Sequence, residues 1–184
     1  MARVPYLEVD DLAEADKALL KRPISLYKAL VNTPDGARAF STLGGWIRWK
    51  SALDPRLREL AILQVGWIAR APYEWSHHIK IGRDFGVSDD DVRALIAESD
   101  GGDSGLPALD RAVLRAAREA AQDGAVSEAT FAELGETLDA GLLVELVLVI
   151  SFYCAVVRVL ASLQIDVEPD YQPYLDAFPL PEGD

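Results

Sequence analysis

Glu74 and His78 are four residues apart, so on one helix their side chains meet, and the carboxylate can fix the imidazole tautomer and raise its basicity. A pair of that kind can move a proton as general acid or base. The plainer alternative is an exposed intrahelical pair worth about 0.3–0.5 kcal/mol. Two features favour the chemical reading. Tyr73 and Trp75 flank the pair and suggest an enclosed site, and Glu59 supplies a second acid on what reads as the preceding helix. Glu59 has Ile62, Leu63 and Gly66 as its same-face neighbours, where a carboxylate is either paired or has its pKa pushed upward.

These residues need helices to position them, and helix signals recur along the chain. No stretch shows the sustained apolar and polar alternation of a half-buried strand. Short helices are expected over 11–21 and 24–32, separated by Pro23. Thr33 as cap with Pro34 in the first turn opens a helix toward Lys50, and Asp54 with Pro55 opens the next, through about Arg70. That second helix is apolar nearly all round and should be buried. Pro72 starts the helix carrying Glu74 and His78, which stops at Gly86, a residue type suited to a left-handed cap. Ser88 with Asp91 forms a capping box for 89–98, and 99–105 is a loop. Helices over 107–122, 128–137 and 141–163 follow, and a proline-rich tail over 166–184 is expected to be extended, packing through Tyr171, Tyr174 and Phe178.

The 184 residues carry 18 basic and 30 acidic side chains, a formal charge of −12 that disfavours nucleic acid and anionic lipid as partners. Cys154 is the one cysteine, which excludes an intramolecular disulfide, a C-x-x-C redox pair and a multi-thiolate zinc site. A reducing cytoplasm is the expected location, and the stretch to Asp11 lacks the apolar core of a signal peptide. Residues 141–163 are long and apolar enough to span a bilayer, but they contain Glu145 and Arg158 and are flanked by acids. A charge at bilayer depth costs roughly 2.5–3.5 kcal/mol, so a buried or interface helix is expected there, with those two charges as partners in buried polar contacts within or between subunits. Trp46 and Trp49 read as core or interface, and His77 as solvent-facing or capping. Glu74-x-x-His77 is formally half of a di-iron carboxylate motif, but the only histidines are adjacent and no metal is expected.

From Leu57 to about Leu95, with a final apolar helix containing Phe152-Tyr153 and Arg158-Val159-Leu160, the chain resembles the carboxymuconolactone decarboxylase and alkylhydroperoxidase-D-like family. Redox-active members of that family carry Glu, eleven residues, Cys, two residues, Cys, three residues and His, with a tyrosine just before the second cysteine. Counting from Glu59 places Ala71 at the first cysteine, Tyr73 at the tyrosine, Glu74 at the second cysteine and His78 at the histidine, without a gap. The resemblance implies a helical fold, oligomers that are commonly trimers or hexamers, and a site between helices near Glu59 and His78. Both redox thiols are missing, so a disulfide relay is not expected, and Cys154 lies away from the motif.

The expectation is therefore an all-α bundle of about seven to eight helices forming one domain over 1–184, with the motif region at 55–98 and a homo-oligomeric state, a dimer being possible. The expected function is a cofactor-independent acid/base enzyme, a lyase or isomerase, acting on a small organic acid, lactone or enolisable carbonyl compound. Glu59, Glu74, His78 and Tyr73 are its candidate catalytic residues, and Arg58, Trp75 and Arg70 its candidate substrate contacts, though surface ion pairing is the plainer role for both arginines. A non-catalytic helical oligomer that binds a ligand or partner is the alternative.

Overall fold

The computed structural model describes residues 2–181, and among them every regular element is helical. The chain runs through α1 (Ser25–Leu30), α2 (Pro34–Trp49), α3 (Pro55–Ile68), α4 (Pro72–Asp84), α5 (Asp89–Ser99), α6 (Ala108–Gln122), α7 (Glu128–Gly135), α8 (Ala140–Leu163) and α9 (Gln172–Ala177). α3 is the central rod. It packs against α4, α6 and α8, and all its residues from Leu57 to Trp67 are buried. A helix apolar round most of its circumference has no face to give to water, which is why three others surround it.

Several stops and starts follow from local chemistry. Asp54 accepts a hydrogen bond from the Leu57 amide, Ser127 from Thr130, and Asp139 from Leu142. Ser88 and Asp91 close a reciprocal capping box on α5. Thr33 departs from expectation. Its side chain makes no capping bond, and its methyl and hydroxyl instead sit close to Gly36, leaving Pro34 to start α2 through its fixed φ.

Two segments differ from the sequence reading. Residues 11–21 do not form one helix; 3-10 turns occupy Val9–Asp11 and Lys17–Leu20. The tail is not extended either, because Pro169 and Pro173 fall in first-turn positions, where a missing N–H does no harm, and open Pro169–Tyr171 and α9. Residues 182–184 of the expected tail lie outside the described residues.

α8 is long and apolar enough to cross a membrane, and it packs one side against α3 and α6 while 44% of its apolar stretch is buried. Within the chain its charges are not partners of one another. Glu145 accepts from Ser51 Oγ and the Ala52 and Leu53 amides at 2.6, 2.7 and 3.1 Å, fastening the connection from α2 to α3. Arg158 is exposed and donates to the Cys154 carbonyl at 2.7 Å. One stripe of α8 faces outward, with Val144, Val147 and Leu148 exposed at helical spacing.

Candidate functional site

α3 and α4 form a tight antiparallel hairpin. Arg70 turns the chain with φ of +48°, and the Ala71 amide reaches back to the Gly66 carbonyl at 2.9 Å. A Cβ on Gly66 would stand 3.3 Å from the Trp75 backbone nitrogen, and one on Gly82 would stand 3.2 Å from Val87 and 3.7 Å from Glu59 Cβ. The two glycines let the helices approach closely enough for Glu59 on α3 to reach His78 on α4.

The result is a buried chain of charge. Arg58 donates through Nε and Nη2 to Glu59 Oε1, at 3.1 and 3.0 Å. Glu59 Oε2 faces His78 Nδ1 at 2.6 Å, and His78 Nε2 faces Glu74 Oε1 at 2.9 Å. The last contact is out of line for a hydrogen bond, so Glu74 Oε1 is a buried oxygen without an aligned donor, attracted to the ring by charge. Relative exposures of 2% for Arg58, 1% for Glu59, 3% for Glu74 and 4% for His78 place the whole array away from bulk water.

Burial alone would drive His78 toward its neutral form, but the charges of Glu74 and Glu59 outweigh it and push its pKa up to about 9. Burial also opposes ionisation of Glu59, and there His78 and then Arg58 win, holding its carboxyl below the usual range. That raised pKa favours the imidazolium form of the ring, which lies between Glu59 and Glu74.

The adjacent His77 sits in the opposite environment. It is buried, not solvent-facing, and is stacked between Tyr73 at 4.0 Å and Tyr171 at 3.5 Å between ring centroids. Burial lowers its pKa against the opposing pull of Glu168, whose Oε2 lies 2.8 Å from Nε2. Glu168 also binds the Tyr73 hydroxyl at 3.1 Å and the Ser25 amide at 2.6 Å, tying the C-terminal tail to α1 and α4. Glu74 and His77 thus engage different partners and do not act as a shared ligand pair.

A cavity of about 380 Å³ opens beside this array. Glu74, His77, His78, Tyr73 and Tyr153 line it, whereas Glu59 lies behind the imidazole and is not in the lining. The expected site residues therefore divide. Glu59, Glu74 and His78 are brought together. Tyr73 reaches the cavity, but its hydroxyl donates to Glu168 and accepts from the Leu26 amide at 3.2 Å, so it is not available to a substrate. Arg58 is neither a surface residue nor a substrate contact, because its guanidinium is held by Glu59 and by the Arg48 carbonyl at 3.2 Å. Arg70 is exposed at the hairpin turn, outside the cavity lining. Trp75 is fully buried on the α3-facing side of α4, packed on Trp67 at 5.2 Å and bonded to the Phe178 carbonyl at 2.8 Å. Residues i and i+1 on a helix point about 100° apart, which is why the neighbour of Glu74 misses its cavity. Trp49 is 72% exposed at the cavity, edge-on to Phe85 at 5.8 Å and outside the core, and Trp46 is half-buried against the core.

Three residues were not visible as site residues. Tyr153 on α8 meets the His78 ring edge-on at 5.0 Å, with no hydrogen bond to its hydroxyl among the described residues. Burial raises its pKa, so the O–H stays protonated. Glu168 and Tyr171 come from the tail, whose aromatic content was the only signal.

Residues 34–123 match the Carboxymuconolactone decarboxylase family. None of the curated proteins matches the chain significantly. Among solved structures, an uncharacterised peroxidase-related protein with an alkylhydroperoxidase AhpD core, from Ralstonia eutropha JMP134, superimposes with a TM-score of 0.80 at 19% identity, over 95% of each chain. The debrominase Bmp8, as a cysteine-to-alanine variant in complex with 2,3,4-tribromopyrrole, gives 0.78 at 20% identity, over 96% of this chain and 97% of its own. A peroxidase-related protein from Silicibacter sp. TM1040 gives 0.70 at 17% identity, over 92% of each.

Proposed function

This chain belongs to the carboxymuconolactone decarboxylase family, with the AhpD-like fold, and from that premise we propose that it is a cofactor-independent acid/base enzyme acting on a small organic compound. The observation that carries this reading is the His78 ring held between Glu59 and Glu74 at the wall of a cavity.

Glu74, the one carboxylate on the cavity wall among the described residues, is the base of this reading and takes a proton from carbon next to a carbonyl. The His78 imidazolium supplies a proton to the carbanion or enolate that follows deprotonation or loss of CO2. Tyr153 takes the part first expected of Tyr73, offering its O–H to negative charge developing on oxygen. Glu59 is a positioning residue that fixes the ring through Nδ1, and Arg58 positions Glu59 in turn. Isomerisation and decarboxylation are the reactions this set serves.

A thiol route finds no support in these residues. Cys154 is a lone cysteine on α8, buried, with its pKa raised by that burial, and it lines a separate cavity with Val65, Ala69 and Arg158. The fold also holds 2,3,4-tribromopyrrole in the debrominase Bmp8, which supports a small ring as the kind of body the fold takes. A screen of lactones and keto acids against wild type and His78→Gln tests the reading. Turnover that depends on His78 supports it, and ligand binding without turnover favours the non-catalytic alternative.

The exposed stripe of Val144, Val147 and Leu148 supports self-association as well, since burying it in a second copy removes apolar surface from water. Sedimentation equilibrium is expected to give an oligomer at micromolar concentration. A monomer would contradict it.

A further inference from the structure

Arg22 and Arg48 are half-buried, line the same cavity as Glu74 and His78, and meet no carboxylate among the described residues. That is unusual in this chain, where 30 acids face 18 bases and other buried or half-buried guanidiniums are paired: Arg56 with Asp91 and Asp110, Arg58 with Glu59. A guanidinium partly withdrawn from water without a counter-ion carries a desolvation penalty that an anionic ligand relieves. Lys21 adds another positive charge to the lining beside the two arginines and His78, against the single acid Glu74.

The rest of the wall is apolar and aromatic, including Leu26, Tyr27, Phe40, Phe152 and Tyr153. Its volume lies at the small end of the roughly 300–1,000 Å³ range of small-molecule sites. Arg48 is also held in a fixed place relative to the acid/base array. Its carbonyl accepts from the same Arg58 that binds Glu59, and its charge acts on the hydroxyl of Tyr153, the ring in contact with His78.

We propose that Arg48 and Arg22 form the anion-binding wall of the cavity and select a small carboxylate with a flat apolar body over its neutral counterpart. The assignment names the substrate class for the acid/base reading above and rests on it for its biological meaning, but binding itself is read without turnover. Arg48 is the principal contact, because its charge acts on Tyr153 beside His78, and Arg22, from the turn before α1, is the second one.

The test is calorimetric titration of the intact protein with benzoate and with benzamide, which share a ring and differ in charge. Benzoate is expected to bind at least tenfold more tightly, the lower end of what a charged hydrogen bond gives, and less tightly as salt rises. Arg48→Met should bring the ratio close to one, Arg22→Met should lower it by a smaller factor, and Arg48→Lys should restore part of it. Circular dichroism melts confirm that each variant is folded, and Arg22→Met serves if Arg48→Met is not. Absence of benzoate binding, or a preference unchanged in both methionine variants, would overturn the proposal. A protein that binds benzoate through Arg48 yet turns over nothing in the substrate screen would sink the enzyme reading alone.

Discussion

Arg58→Met should destabilise the protein by about 3–5 kcal/mol, the range found when one partner of a buried ion pair is removed. Arg58 and Glu59 are almost wholly shielded from water, and both guanidinium bonds to Glu59 run to a single oxygen. Without Arg58, that oxygen keeps its charge in a low-dielectric setting with nothing to bind it. The same change frees the Arg48 carbonyl at the end of α2 and removes the cation over the Phe85 ring, 4.5 Å from its centroid. Urea unfolding monitored by circular dichroism is the measurement. Adding Glu59→Gln to Arg58→Met should recover part of the loss, because the stranded charge disappears with it. A loss under about 1 kcal/mol, the size of a surface pair, would mean that water reaches Glu59 in solution.

His78→Gln should lower turnover of any substrate found by about a hundredfold to ten-thousandfold, the usual contribution of a positioned acid or base. It should also change how stability depends on pH. The folded pKa of His78 is raised to about 9 from its ordinary value of 6.5. Its ionised form therefore stabilises the wild type fully below about pH 6.5, and the contribution is lost as pH rises through about 9. Glu59 works in the other direction. Its lowered pKa stabilises the fold above the ordinary carboxyl range and fails as pH falls toward its depressed folded value. Wild type should be most stable in mildly acidic solution, and the alkaline slope, roughly 3 kcal/mol in total, should be absent from His78→Gln. Thermal melts of both proteins across this pH range read the difference. Parallel curves would show that His78 does not titrate in the window.

The hairpin that builds the site was legible because its signals are local. Asp54 with Pro55, then Pro72, then Gly86 mark the ends of α3 and α4, and the spacing from Glu74 to His78 is one helical turn. Glu59 could be brought to them because a short connection makes consecutive helices neighbours. What was hidden depends on contacts between residues far apart in the chain. Nothing near His77 announces that Glu168 and Tyr171 will cover it, and nothing in 11–30 says that Arg22 will share a cavity with Arg48. Trp75 was misplaced for a different reason: adjacency in sequence was taken as adjacency in space, and the helix rotates it to the core. The 3-10 turns and α9 were missed because short helical segments leave too little periodicity to read.

The protonation state of His78 bears most directly on the acid/base centre, and heteronuclear NMR of the two histidine rings across a pH titration reads it. At neutral pH the His78 ring is expected to carry protons on both nitrogens and to lose one only near pH 9, while His77 is neutral at the same pH. A His78 ring that is a neutral tautomer at pH 7 would contradict the proposed imidazolium between Glu59 and Glu74.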